Sequence, residues 1–273
     1  MYRFETRQFP AIAPFAFQIT EIEIDALDPR NVHTAHSHRE CEIYVNLSGD
    51  VSFMVEGHQY PVAPGNAIIT RPYEMHHCVY HSNAPHHHFW ILFSCAGNEP
   101  LLDFFLSRVP GTGNRAVLND TDSGALIDCC RALGAPGDAG ALYGRFFRML
   151  TLLRRGISSG AEDDWIPPEI APVLDAMNRH FAQPLSVADL AHDAGMSVAT
   201  LERAFRRQTG LTPRDYLLRK RLANACRLLD EGASVQEACD RSGFSDCSRF
   251  IAQFRAHCGR TPLQYKKRDL SEK

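Results

Sequence analysis

Between Leu185 and Lys266 the chain repeats itself. The stretch LSVADLAHDAGMSVATLERAFRRQTGLTPRDYL, from Leu185, aligns with ASVQEACDRSGFSDCSRFIAQFRAHCGRTPLQYK, from Ala233. Ser186, Val187, Asp189, Ala191, Gly195, Met196 and Ser197 recur 48 residues later as Ser234, Val235, Glu237, Cys239, Gly243, Phe244 and Ser245. Leu201, Phe205, Arg206, Gly210, Thr212, Pro213 and Tyr216 recur 49 residues later as Phe250, Phe254, Arg255, Gly259, Thr261, Pro262 and Tyr265, so one residue is inserted after the turn. Agreement in register over so many positions implies two copies of one supersecondary unit.

Each copy carries its own start and stop signals. Ser186 and Ser234 stand where a helix N-cap belongs, with Asp189 and Glu237 placed to reach back to the cap. Gly195 and Gly243 end that helix, because glycine takes a positive φ at little cost. A second helix starts near Val198 or Asp246, turns Leu201, Ala204 and Phe205, or Phe250 and Phe254, inward, and ends at Gly210 or Gly259. Two short helices across a tight turn make a helix-turn-helix, whose second helix enters the major groove of DNA. Between the copies, Arg214 to Leu229 reads as one helix with Tyr216, Leu217, Leu222, Ala225 and Leu228 on its apolar side, holding the two units apart.

Charge divides the chain in the same sense. Residues 1–164 hold 12 Lys and Arg against 19 Asp and Glu, whereas residues 165–273 hold 17 against 13. The basic half suits a polyanion, although a solvated helical face has a similar composition. A length of 273 residues accommodates two domains, and 44% apolar with 22% charged residues is the balance of a soluble globular protein. No apolar run is long enough to cross a bilayer. Met1 to Pro10, with Arg3, Glu5 and Arg7, shows no secretory signal, so a cytoplasmic location is expected. Nine cysteines, at 41, 78, 95, 129, 130, 226, 239, 247 and 258, lack CxxC or zinc-finger spacing, which argues against a disulfide framework. Cys226 and Cys239 read as small apolar residues on helical faces.

The N-terminal half has a different texture. Phe15 to Ile24, Glu42 to Leu47, Val51 to Val55, Ala67 to Thr70 and His88 to Phe93 are short strand-like runs separated by Gly, Pro, Asn and Asp. Helical spacing follows in Glu99 to Arg108, Thr121 to Leu133 and Gly140 to Gly156. In the last, Leu142, Phe146, Met149, Leu150 and Leu153 form one stripe, to be buried on the β unit or against a second copy. ISSGAEDDWIPP, from Ile157, has linker composition. The expected fold class is α+β multidomain: residues 1–160 as an antiparallel β-barrel or sandwich with trailing helices, a linker at 161–168, and an all-α double helix-turn-helix over 169–273.

The C-terminal repeat resembles the DNA-binding domain of the AraC/XylS family of transcription regulators. The resemblance rests on Gly243-Phe244-Ser245-Asp246, then Phe250, Phe254-Arg255, Gly259-Arg260-Thr261-Pro262 and Tyr265, and covers about 100 residues. It implies two recognition helices placed in successive major grooves by a single subunit. Groove-facing positions would be Ala199, Glu202, Arg203 and Arg206 on the first, and Cys247, Ser248, Arg249, Ala252 and Gln253 on the second. Arg203 and Arg249 can pair bidentately with guanine, whereas Arg206, Arg207, Arg255 and Arg260 suit phosphates. Glu202 accepts from cytosine or pairs with a neighbouring Arg. The alternative for each Arg is a solvated helix face.

Ten of the thirteen histidines lie between His33 and His88. His36 and His38 precede Glu42, and residues two apart on a strand share a face, so these three can converge, with His76 closing the set. Three imidazoles and a carboxylate suit zinc, nickel, iron or manganese. This stretch, residues 20 to 95, resembles the two motifs of the cupin fold, the usual sensor domain in one large branch of the same family. The resemblance implies either a bound metal or histidines lining an effector pocket. Tyr44, His88 and Trp90, with His86 on the same face as His88, would extend that pocket, and Phe53 and Phe93 would add apolar wall.

The whole then reads as a one-component regulator that binds promoter double-stranded DNA and answers to a small effector, of which a sugar is one kind, held in the N-terminal domain. The family implies a homodimer, more often an activator that contacts RNA polymerase. A metal-responsive regulator is one alternative, and a cupin metalloenzyme fused to a DNA-binding tail another. No separate acid–base or nucleophile set supports the latter.

Overall fold

In the N-terminal half, short strands whose side chains are mostly buried on both faces build two antiparallel sheets. The computed structural model describes residues 2–8, 15–25, 35–95, 102–135, 137–159 and 168–268. It forms two compact units, one of Met1–His33 and His38–Trp165 and the other of Thr34–Ser37 and Ile166–Lys273. Most of the expected linker at 161–168, and the beginning of the helix expected at Glu99, lie outside the described residues.

The strands of the first unit are β1 (Tyr2–Gln8), β2 (Phe15–Ile24), β3 (Cys41–Ser48), β4 (Val51–Val55), β5 (His58–Pro61), β6 (Ala67–Thr70), β7 (His76–Tyr80), β8 (His86–Cys95) and the two-residue β9 (Arg115–Ala116). Six join in the order β1-β2-β8-β3-β6-β9, and three in the order β5-β4-β7. The expected antiparallel barrel or sandwich is present as these two sheets, without a closed ring of hydrogen bonds between them among the described residues. Turns at Gly49 and Gly57, both at positive φ, join β3 to β4 and β4 to β5.

Period-two alternation gives β8 two different faces. Phe89, Ile91 and Phe93 are buried in a core with α1 (Asp103–Leu106), α2 (Asp120–Gly134) and α3 (Ala139–Ser159). Leu142, Phe146, Met149, Leu150 and Leu153 of α3 all lie in that core. Phe146 stacks on Phe17 of β2 at 4.7 Å and meets Phe93 edge-on at 5.2 Å. The apolar stripe is therefore consumed by the sheet, and the exposed turns of α3 carry Gly144, Arg148, Thr151 and Arg155 instead. The other face of the large sheet contributes Tyr44 and Ile68 to a second core with Val51, Phe53, Val55, Tyr60 and Cys78.

The second unit consists of α4 (Ala171–His180), α5 (Val187–Asp193), α6 (Val198–Thr209), α7 (Pro213–Asp230), α8 (Val235–Arg241), α9 (Cys247–Cys258) and α10 (Pro262–Arg268). Ser186, Ser197, Thr212, Ser234 and Asp246 each accept a backbone N–H at a helix start. A reciprocal capping box forms at Ser234–Glu237. At the matching position Asp189, one methylene shorter than Glu237, only the serine half of the cap is made. Gly210 and Gly259 close α6 and α9 at φ +71° and +73°. Phe250 and Phe254 fill the second copy's core with Leu222, Ala225, Leu228 and Cys239.

Candidate nucleic-acid interface and ligand site

The apolar sides of α6 and α9 are turned inward at Leu201 and Phe205, and at Phe250 and Phe254, and the remaining faces are exposed, carrying polar side chains beside Val198 and Ile251. Ala199, Glu202, Arg203, Arg206 and Arg207 are exposed on α6, as are Ser248, Arg249, Ala252 and Arg255 on α9. Cys247 and Gln253 are half-buried. Arg207 is engaged by Glu169 through an ion pair, which makes it a less available phosphate partner than Arg206 or Arg255. Arg260 is half-buried beside the α9 terminus.

A cleft of about 1130 Å³ is lined by Val198 and Glu202 of α6, Arg249 and Gln253 of α9, and Arg214 and Arg221 of α7. Both reading helices therefore open on one side of the unit. Arg221 is held by donating to the Phe181 carbonyl at 2.7 Å and the Gln183 carbonyl at 2.8 Å. Gly243, at φ +80°, lies so near the chain that a Cβ there would stand 2.7 Å from the Ala182 oxygen. This close approach fastens the second copy's turn to the segment between α4 and α5.

In the first unit His38, Glu42 and His76 each offer a ligand atom, all within 4.8 Å of one another. His36 falls in the short stretch Thr34–Ser37 that groups with the second unit. His38 precedes β3 rather than lying on it, so the chain's approach to the sheet, and not strand alternation alone, brings it in. His38 Nε2 and His76 Nε2 both face Glu42 Oε2, at 2.9 and 3.2 Å. Their Nδ1 atoms face the carbonyls of Glu40 at 3.0 Å and Glu74 at 2.8 Å. A carbonyl only accepts, so each Nδ1 carries the proton. In the neutral tautomer both Nε2 lone pairs then point at the carboxylate, an arrangement stabilised by a proton on the imidazole or by a cation between the groups. Burial pushes the Glu42 carboxyl up, but the His76 charge and hydrogen bonds from both imidazoles outweigh it and hold it well below the usual range. The Thr70 hydroxyl, paired across the ladder with Glu42, is buried without a hydrogen-bond partner. These donors fit a divalent transition metal.

Behind His76 lies a second buried carboxylate that sequence reasoning missed. Glu74 accepts from the backbone N–H of Arg71 and of Gly111 at 2.9 Å, from Asn114 Nδ2 at 3.0 Å and from Arg108 Nη2 at 3.3 Å. It fixes the turn into β7 and with it the His76 ring. Further along the same interior, Tyr44 Oη and His86 Nε2 are 2.9 Å apart, and His86 Nδ1 donates to the Ser48 carbonyl at 2.7 Å. Burial lowers the His86 pKa and favours the neutral ring. His88 stacks on His86 at 4.7 Å and lies 4.8 Å from Tyr44. Trp90, two residues on, shares that strand face and is half-buried. The five residues His38, Glu42, Tyr44, His76 and His88 are thus drawn inward.

Two helix-turn-helix copies with wet reading faces, together with a sheet pair enclosing ligand-type side chains, define a ligand-responsive DNA-binding regulator. Residues 190–268 match a family model described as a helix-turn-helix domain, and residues 21–149 match one described as an AraC-like ligand binding domain. Over these two stretches the chain is similar to AraC-type regulators. It is 26% identical over 271 residues to the HTH-type transcriptional activator RhaS of Klebsiella pneumoniae (strain 342), spanning 93% of this chain and 94% of that protein. To RhaS of Salmonella arizonae it is 32% identical over 147 residues, 52% of each chain. Among solved structures, an AraC-type transcriptional regulator from Chromobacterium violaceum shares 31% identity and covers 37% of this chain and 90% of its own, with a TM-score of 0.34.

Proposed function

We propose that the protein is a transcription activator that grips promoter DNA with α6 and α9 and responds to a small polar effector held between the sheets. The observation that carries this reading is the shared cleft, which puts the exposed faces of both reading helices on one side. In this assignment Arg203 and Arg249 read guanine, with Ala199, Ser248, Ala252 and Gln253 completing the groove surface. Arg206 and Arg255 hold phosphates. Glu202 accepts from cytosine or pairs with Arg203 nearby. Activation, with RNA polymerase as partner, is supported by the relatives' description as activators. The protein acts as a homodimer in the cytoplasm. No helix among the described residues is long and apolar enough to cross a membrane.

The effector is a hydroxylated molecule such as a sugar. Tyr44, His86, His88 and Trp90 offer it both stacking faces and hydrogen-bonding tips. It acts only as far as it binds one arrangement of the DNA-binding units better than another. Titration of the full chain with promoter fragments, with and without candidate sugars, tests this. Absence of salt-sensitive binding to any promoter DNA would refute the first part, and sugar-independent affinity the second.

One observation favours a second reading, a metal-responsive regulator: the paired Nδ1 protons of His38 and His76 are set as they are in metal-ligating histidines. Bound there, zinc, nickel, iron or manganese would supply a positive charge that gathers His38, Glu42 and His76. Zinc or nickel alone would then change operator affinity. Since the relatives are regulators, turnover at this site is not part of the proposal, and stoichiometric iron with consumption of a substrate would contradict it.

A further inference from the structure

The second DNA-binding copy contains a thiol pair that neither DNA reading nor effector binding uses. Cys226 lies on α7 and Cys258 is the last residue of α9, and their sulfurs are 3.7 Å apart. Both are half-buried at the border of the Phe250–Phe254 core, so a small solute can reach them. A disulfide needs about 2.05 Å between sulfurs, so the pair is within about 1.7 Å of bonding distance.

The two thiols are also chemically unequal. The hydrogen bond from Cys226 lowers the Cys258 pKa, burial opposes it, and the Arg260 charge assists. The same contact, with burial, raises that of Cys226. Cys258 is thus the readier of the two to lose its proton and Cys226 the one that holds it, which is the division of labour between an attacking and a resolving thiol. Burial pushes Cys78 and Cys239 the other way, each to about 12. Those two remain protonated and inert.

We propose that Cys258 and Cys226 are a modification site for hydroperoxides, oxidised together to an intramolecular disulfide. The Cys258 thiolate attacks the peroxide, forming an S–O bond as the O–O bond breaks. The departing oxygen takes a proton from water. The Cys226 sulfur then attacks the Cys258 sulfur, forming the S–S bond as the S–O bond breaks, and water leaves with the Cys226 proton. The peroxide is reduced by two electrons and the dithiol is oxidised by two. The new bond staples the end of the helix bearing Ser248, Arg249 and Gln253 to α7, and a thiol reductant releases it.

The test treats the full-length chain with hydrogen peroxide, alkylates the remaining thiols and maps the peptides. A Cys226–Cys258 disulfide should form before Cys78, Cys239 or Cys247 is modified, with loss of two alkylatable thiols that dithiothreitol restores. Cys226→Ser should leave Cys258 as a sulfenic acid that dimedone labels, and Cys258→Ser should abolish both products. The wild-type map decides the question even if a variant fails to fold. Persistence of both thiols while other cysteines oxidise, or a Cys239–Cys247 disulfide in their place, would overturn the proposal.

Discussion

Gly195 and Gly243 occupy the same place in the two copies, and replacing each by alanine should separate conformational strain from steric collision. Both have positive φ, +66° and +80°. A left-handed backbone costs a residue with a Cβ about 1–2 kcal/mol. At Gly195 nothing lies within 4 Å of the added carbon, so Gly195→Ala carries that cost alone. At Gly243 the carbon would meet the Ala182 oxygen at 2.7 Å and its Cα at 2.8 Å. Backbone atoms cannot swing aside as a side chain does, and overpacking adds about 1–3 kcal/mol, bringing Gly243→Ala to about 2–5 kcal/mol. For a unit near 100 residues, a loss of 1 kcal/mol lowers Tm by about 4 °C or more. Differential scanning calorimetry of the full chain should then show the transition of the second unit falling by about 4–8 °C for Gly195→Ala and by about 8–20 °C for Gly243→Ala. Equal shifts for the two variants would refute the reasoning, since the collision with Ala182 is the difference between them.

Arg249→Ala should weaken binding to the cognate site by about 1–3 kcal/mol and relax preference at one base pair, read by fluorescence anisotropy; unchanged affinity would remove Arg249 from the reading set. Phe146→Ala empties the space against Phe17 and Phe93 and should destabilise the first unit by about 3–5 kcal/mol in urea unfolding, provided the stripe packs on the sheet as described. Zinc or nickel should raise the melting temperature of the wild-type chain and leave Glu42→Gln and His76→Ala unaffected, because a ligand stabilises only a protein that binds it. Equal shifts in all three would place the metal elsewhere.

The double helix-turn-helix was legible because each helix end is written in local chemistry: Ser197 and Asp246 start the reading helices, and Gly210 and Gly259 stop them. By contrast α4 has no counterpart in the repeat, and its N-cap Ile170 makes no side-chain bond, so its start was marked by Pro172 in the first turn and by no capping side chain. The helix expected from Glu99 to Arg108 amounts, among the described residues, to Asp103–Leu106, where the N-cap Leu102 also lacks a capping side chain. β5 and β7 were missed as strands, four and five residues long and rich in histidine or polar residues. At the ligand site the spacing of His36, His38, Glu42 and His76 suggested a set, and the structure brings ligand atoms of His38, Glu42 and His76 within 4.8 Å of one another. What orients that set was invisible. Glu74 looks like any surface acid until Asn114 and Gly111, about 40 residues away in sequence, are folded onto it. Contacts of that range leave no trace in local pattern.

The two-faced strand β8 carries a mechanical consequence. His86 and His88 belong to the interior where a small molecule would rest, while Phe89, Ile91 and Phe93, alternating with them, are at most 1% exposed against the helices. Close-packed interiors are nearly incompressible. A displacement of His88 would therefore meet no soft layer before Phe93, which packs on Phe146 of α3. That strand would act as a pushrod, bearing on the last secondary structure described before residue 168.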